Sequence, residues 1–226
     1  MRVLIVGVGR AGLSIAQHLS ASGHEVTVID RDRAIVERAS EKYGLIALVG
    51  DATDTAVLHD AEMARADVVV ALLQRDAENL AVALLARSVG VERVMVRMRD
   101  KDYLPVYLKA GVDRLFSETD VLIGALATAI EHDAVRHAML LGSGNSVAFE
   151  IAIPENSAIA GRSVSDVATD PMFPRSCVFA ALYRPDGTVE GPRGSSLVPA
   201  GATVLLVARR DELKATIDFF MRPVRV

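Results

Sequence analysis

A hexapeptide with three glycines, Gly7-Val8-Gly9-Arg10-Ala11-Gly12, stands between an apolar run at residues 3–6 and a segment of helical periodicity. That placement limits the chain more than any other feature. A strand turning sharply into a helix uses the first glycine for the tight turn, the second to let the backbone approach a pyrophosphate, and the third to let helix pack on strand. Unpaired amides at the start of the helix then attract the anion.

The next hundred residues repeat the same rhythm. Short β-branched runs at 3–6, 26–29, 46–49, 68–72 and 94–96 read as strands buried on both faces, and helical patterns at 11–22, 34–43, 55–61 and 76–88 follow the first four. Residues 103–110 and 115–116 predict one more helix and a sixth, short strand. The expected fold is α/β, a Rossmann-like doubly wound parallel sheet built from right-handed βαβ units.

From Glu118 the pattern changes. Ser117 and Asp120 mark a helix start, and residues 121–130 are apolar or small nearly all the way round. Such a helix is either covered by another domain or subunit or is a core helix of the first domain. After about Ala138 the chain is strand-rich, at 147–153, 178–183 and 203–207, with turn signals Pro185-Asp186-Gly187 and Pro199-Ala200-Gly201 and helices near 164–168 and 211–221. Two domains are therefore expected, residues 1–137, with a helix near 118–137, and a small α+β domain over 138–226.

Composition sets the remaining bounds. In 226 residues, 51% are apolar and 24% charged, enough for a proper core, which excludes a disordered tail or a disulfide-held miniature. The net charge is −4 and no basic block is present, so no nucleic-acid partner is expected. The single cysteine, Cys177, lies in a β-like run and reads as a core residue. With the glycine motif starting at Gly7 and the longest uncharged stretch, 194–208, short of the roughly 20 apolar residues of a membrane helix, a cytoplasmic chain is expected.

Asp30 ends the second strand about 20 residues beyond the motif, where a carboxylate accepts hydrogen bonds from ribose hydroxyls and repels a 2′-phosphate. The pattern fits NAD, ADP and ATP equally, since all share adenosine and a diphosphate. Gly50-Asp51-Ala52-Thr53, after the third strand, either borders an adenine ring or is an ordinary turn capped by Asp51 or Thr53. Arg97, ending the fifth strand, and Arg10, inside the glycine loop, either reach phosphate oxygens or are exposed arginines. The five histidines are scattered and offer neither a general acid near a nicotinamide nor a metal cluster, so no catalytic residue and no enzyme activity are expected.

Together, residues 3–12, Asp30, Gly50-Asp51-Ala52-Thr53, residues 76–79, Val96-Arg97, Gly111-Val112-Asp113 and Ser117-Glu118 resemble the ligand-binding domain of regulators of potassium conductance (RCK), the TrkA/KtrA type. Ala160-Gly161-Arg162-Ser163-Val164, Val198-Pro199-Ala200-Gly201 and residues 203–207 are similar to that family's C-terminal domain, with one departure at Ala202, where an acidic residue is usual.

The resemblance implies a cytosolic subunit, peripheral to the membrane, that binds ATP, ADP or NAD(H), forms dimers and then an octameric ring, and gates a separate potassium-transporting membrane protein. It implies that Gly7, Gly9, Ala11 and Gly12 hold the diphosphate, that Asp30 and Arg31 meet the adenosine, and that Asp51, Ala52 and Thr53 line the base. Arg10 would sense a terminal phosphate, and Glu118 would hold a Mg, Ca or Na ion, although an acid in a helix's first turn is favourable through the dipole alone. The apolar helix fits the family's crossover between domains and paired subunits, and Tyr103, Leu104, Tyr107 and Leu108 would add a second contact surface. Some relatives bind a cyclic dinucleotide in the C-terminal domain. The alternatives are a small NAD-dependent oxidoreductase and the regulatory subunit of a cation/proton antiporter.

Overall fold

The computed structural model describes residues 1–142 and 144–224. The chain folds into two compact units, Met1–Glu118 and a second that begins at Thr119.

The first unit runs β1 (Arg2–Val6), α1 (Arg10–Ala21), β2 (Glu25–Asp30), α2 (Arg33–Tyr43), β3 (Ile46–Val49), α3 (Thr55–Asp60), β4 (Val68–Ala71), α4 (Asp76–Ser88), β5 (Arg93–Met98), α5 (Leu104–Lys109) and β6 (Arg114–Ser117). The six strands form one parallel sheet in the order β3-β2-β1-β4-β5-β6. Val3 and Ile5 belong to one core cluster, and Leu4 and Val6 to another. Side chains alternate across a strand, so a sheet covered on both faces turns this alternation into an unbroken apolar run. The order reverses between β1 and β4, the switch point at which such sheets bind ligands.

Buried polar groups fix the turns beside that point. Asn79, fully buried in α4, accepts from the Leu73 amide (2.8 Å) and donates to the carbonyls of Leu73 and Arg97 (3.1 Å each). Asp76 accepts from the amides of Arg99 and Asp100 and, at 2.9 Å, from the Tyr107 hydroxyl. Tyr107 is thus a wholly buried strut, and burial pushes its phenol pKa up. It is not part of the expected second contact surface, whereas Leu104, Val106 and Leu108 of α5 are exposed.

In the second unit, α6 (Glu118–Glu131) leads into β7 (Val135–Leu141), β8 (Ser146–Ala152), α7 (Val164–Ala168), β9 (Val178–Tyr183), β10 (Val189–Glu190), β11 (Thr203–Arg209) and α8 (Leu213–Met221). The sheet is antiparallel, in the order β10-β9-β11-β8-β7. Val147, Phe149 and Ile151 of β8 and Val204, Leu206 and Ala208 of β11 face one core with Phe219 and Phe220 of α8. Cys177 lies in this core, 6% exposed, and burial pushes its thiol up to about 12. Ala202 is wholly buried, and its carbonyl accepts from the Ile153 amide.

The helix expected near 118–137 is shorter than that. It ends at Glu131, and Val135–Leu141 pairs with β8 instead, through a bulge between Val135 and His137. In α6, Gly124 and Thr128 are buried, and a Cβ at Gly124 would approach the Leu140 side chain to 2.8 Å. Val121, Leu122, Ile123, Leu126 and Ile130 are all at least half exposed.

Candidate functional site

The carboxyl ends of β1, β2, β3 and β5 carry the expected site residues to one edge of the first sheet. Gly7 has φ +84°, and a Cβ there would lie 2.9 Å from the Leu72 carbonyl carbon. A Cβ at Gly12 would meet the Gly7 carbonyl oxygen at 2.5 Å. Only glycine fits either position, the first because L side chains rarely adopt that backbone and the second because helix lies on turn. Gly9 differs, because a Cβ there meets nothing within 4 Å. The second glycine therefore faces open space.

Gly9 is also the N-cap of α1 and offers no side-chain cap. The first-turn amides of a helix have no intrahelical acceptors, so those of Arg10, Ala11 and Gly12 are available to an anion. Arg10 and Ala11 are exposed beside them.

Asp30 is half-buried, and its carboxylate ties β2 to the glycine loop. Oδ2 accepts from the Val8 amide (2.8 Å) and Oδ1 from the Asp32 amide (3.0 Å). A carboxylate has about four lone-pair positions, so acceptor capacity remains for two hydroxyls.

The turn after β3 is held by its own side chains. Asp51 Oδ1 accepts from the Thr53 amide (2.9 Å) and hydroxyl (2.7 Å), while Oδ2 pairs with Arg31 (2.8 Å). These bonds, Thr53 first and Arg31 after it, hold the Asp51 carboxyl down at about 2. Ala52 turns into the core at 3% exposure and presents no side chain to a base. The cap of α3 is Asp54, which accepts from the Ala56 amide, and not Asp51 or Thr53.

Arg97 turns inward. Its Nη2 donates to the carbonyls of Leu72 (2.7 Å) and Leu73 (2.9 Å), and its Nη1 lies 3.4 Å from Glu118 Oε2. The side chain is 16% exposed, and its buried Nε has no partner among the described residues. Arg97 thus braces the ends of β4 and β6 and does not extend toward a phosphate, and Glu118 faces a guanidinium. No group of three or more His, Cys, Asp or Glu side chains able to hold a metal occurs among the described residues.

Two contributors carry no signal in the sequence that marks them as site residues. Glu78, 11% exposed in the first turn of α4, lies 3.0 Å from Arg31 and also pairs with Arg75. Its carboxyl is held below the ordinary value, first by Arg75 and then by Arg31, against burial. Asn79 fixes the shelf of Leu73 and Arg97 described above. Both lie within residues 76–79, but the partners that tie them to the site, Arg31 and Arg97, are distant in sequence. A surface depression of about 390 Å³, lined by Met1, Arg2, Gly23, Glu25, Arg65 and Asp67, lies at the opposite, amino-terminal end of the sheet.

Residues 3–118 match the family model described as the TrkA-N domain, and residues 148–221 that described as the TrkA-C domain. A Trk system potassium uptake protein TrkA homolog of Archaeoglobus fulgidus is 31% identical over 228 residues, covering 99% of this chain and 51% of its own length. A protein of the same description from Methanothermobacter thermautotrophicus is 27% identical over 214 residues, 95% of this chain and 96% of its own. The chain thus spans about half the length of the first relative and nearly all of the second. A solved structure described as the GsuK channel bound to NAD shares the fold, with a TM-score of 0.65 at 18% identity over 100% of this chain and 40% of that one. No helix among the described residues is long and apolar enough to cross a membrane.

Proposed function

The chain belongs to the TrkA family, a TrkA-N domain followed by a TrkA-C domain, and from that premise we propose that it is a nucleotide-sensing regulatory subunit of a potassium-transporting membrane protein. The observation that carries this is the edge at the switch point, with an uncapped helix start, open space at Gly9 and a carboxylate beside them. The names of the relatives supply potassium as the ion.

In this reading the ligand is ATP, ADP or NAD(H). The amides of α1 bind its diphosphate, Asp30 orients the ribose, and Arg31 and Thr53 border the adenosine. Arg10, exposed at the loop, distinguishes a third phosphate from two. A divalent or monovalent cation carried with the nucleotide would have to draw Glu118 away from Arg97. The work is done by differential binding and not by turnover, since a ligand moves a conformational equilibrium only by its difference in affinity for the two states. The protein is cytoplasmic and meets the membrane through its partner.

The apolar residues left open on α6 support self-association into dimers and a larger ring, with that helix as the crossover. Leu122→Asp with Leu126→Asp should shift the protein to smaller species in light scattering.

Calorimetry with ADP, ATP and NADH tests the central reading. Asp30→Ala should weaken ADP by about 1–3 kcal/mol, the value of hydrogen bonds to a charged group. A wild type that binds none of the three, or that converts a nucleotide to product, overturns it.

A further inference from the structure

Arg31 follows the carboxylate assigned to the ribose, and in a dinucleotide site an arginine near that carboxylate is the group that accommodates a 2′-phosphate. Here the guanidinium is already engaged by two carboxylates, both at Nη2. Its Nη2 lies 2.8 Å from Asp51 Oδ2, in the turn after β3, and 3.0 Å from Glu78 Oε1, in α4. Glu78 uses the same oxygen to hold Arg75, so the four side chains form a neutral quartet from three separate segments. Glu78 is the most buried member, 11% exposed against 51% for Arg31, 44% for Asp51 and 72% for Arg75.

We propose that Asp51 and Glu78 set the nucleotide specificity of this site by sequestering Arg31, so that adenosine with a free 2′-hydroxyl binds and its 2′-phosphorylated counterpart does not. Glu78 is the positioning residue. A phosphate arriving at Arg31 must compete for it with two carboxylates that are both ionised at neutral pH, one of them nearly buried, while a third, Asp30, adjoins it in the chain. Leaving a buried carboxylate with one fewer partner is costly, whereas a hydroxyl leaves the quartet intact. Arg75 offers no substitute, because it is bound to Glu78. The inference rests on the nucleotide reading of the site and adds, to the repulsion expected from Asp30, a second means of refusing a 2′-phosphate.

NAD and NADP, titrated separately into the full chain by calorimetry, are the probes. The wild type should prefer NAD by about tenfold or more. Asp51→Asn with Glu78→Gln, which keeps shape and acceptors but removes both charges, should narrow that preference about tenfold by tightening NADP, and adding Arg31→Ala should abolish the gain. If the double variant fails to fold, Glu78→Gln alone is read the same way, with a smaller narrowing. Equal weakening of both ligands would mean that the quartet is only a scaffold, and a wild type that binds NADP as tightly as NAD overturns the proposal outright. Loss of discrimination with NAD still tight leaves the nucleotide site standing, whereas a wild type that binds neither ligand removes both.

Discussion

In the first unit a connected group of charged side chains gathers at the carboxyl end of the sheet, apart from simpler pairs such as Arg2 with Glu25 at the other end. Asp30, Arg31, Asp51, Glu78 and Arg97 lie at the carboxyl ends of strands or just beyond them. In the second unit charged side chains pair at scattered places, Arg184 with Glu190 across a hairpin, Arg209 with Asp211, and Arg162 and the distant Arg222 with Asp170. The difference follows from strand direction. Parallel strands all finish at the same edge, so the turns after them converge, whereas antiparallel strands finish alternately at opposite edges and disperse their turns. Convergent charge is therefore a product of topology before it is one of residue type, and the second unit, of similarly ordinary composition, builds a core and a set of loop clasps.

The comparison breaks most readily if the two units do not answer separately to mutation. Phe220→Ala, in the core of the second unit, should cost about 3–5 kcal/mol in urea denaturation and leave ADP affinity at its wild-type value. A parallel fall in affinity would make core and site one cooperative system. Within the first unit, Gly12→Ala should cost about 1–3 kcal/mol because its Cβ has no room, and ADP binding should go with it. Gly9→Ala sharpens the contrast, since thermal unfolding should stay within about 0.5 kcal/mol of wild type while ADP weakens at least tenfold. Equal stability losses at the two glycines would mean that the open space at Gly9 is not kept for a ligand.

Asn79→Ala leaves the Leu73 amide and two carbonyls without their partner and should cost about 1–2 kcal/mol in thermal denaturation. The smallest effect belongs to Asp51. Its carboxyl titrates at about 2 in the folded chain, below the ordinary carboxylate value. What it adds to stability is therefore complete above about pH 4 and is lost as the pH falls toward 2. The side chain is 44% exposed, so the amount is at most about 1 kcal/mol. Acid denaturation of Asp51→Asn should show a shallower decline than wild type over that range, and superimposable curves would count against the pairing with Thr53 and Arg31.

The first unit is legible in the sequence because its signals are local. Gly7, Gly9 and Gly12 at fixed spacing, and four apolar residues in a row on β1, each encode one conformation. The inward turn of Arg97 is not legible, because its acceptors, Leu72 and Leu73, are distant in sequence. The hold of Glu78 on Arg31 is hidden in the same way, and an acid in a helix's first turn is unremarkable by itself. Strand β7 escapes notice because Ala134–Leu141 carries only one β-branched residue, Val135, and pairing with β8 decides its conformation over propensity. The burial of Ala52 and Tyr107 depends likewise on which face of a turn or helix meets the core, and a six-residue element such as α5 has too little periodicity to reveal it.

The depth of Cys177 gives the chain a clock of its own. Alkylating reagents react with thiolate, and a thiol out of reach of solvent with its pKa raised to about 12 reacts only when its surroundings part. Since it is the one sulfhydryl among 226 residues, the rate at which the protein consumes a thiol reagent counts the openings of the second unit alone, with no label introduced and the first unit silent throughout.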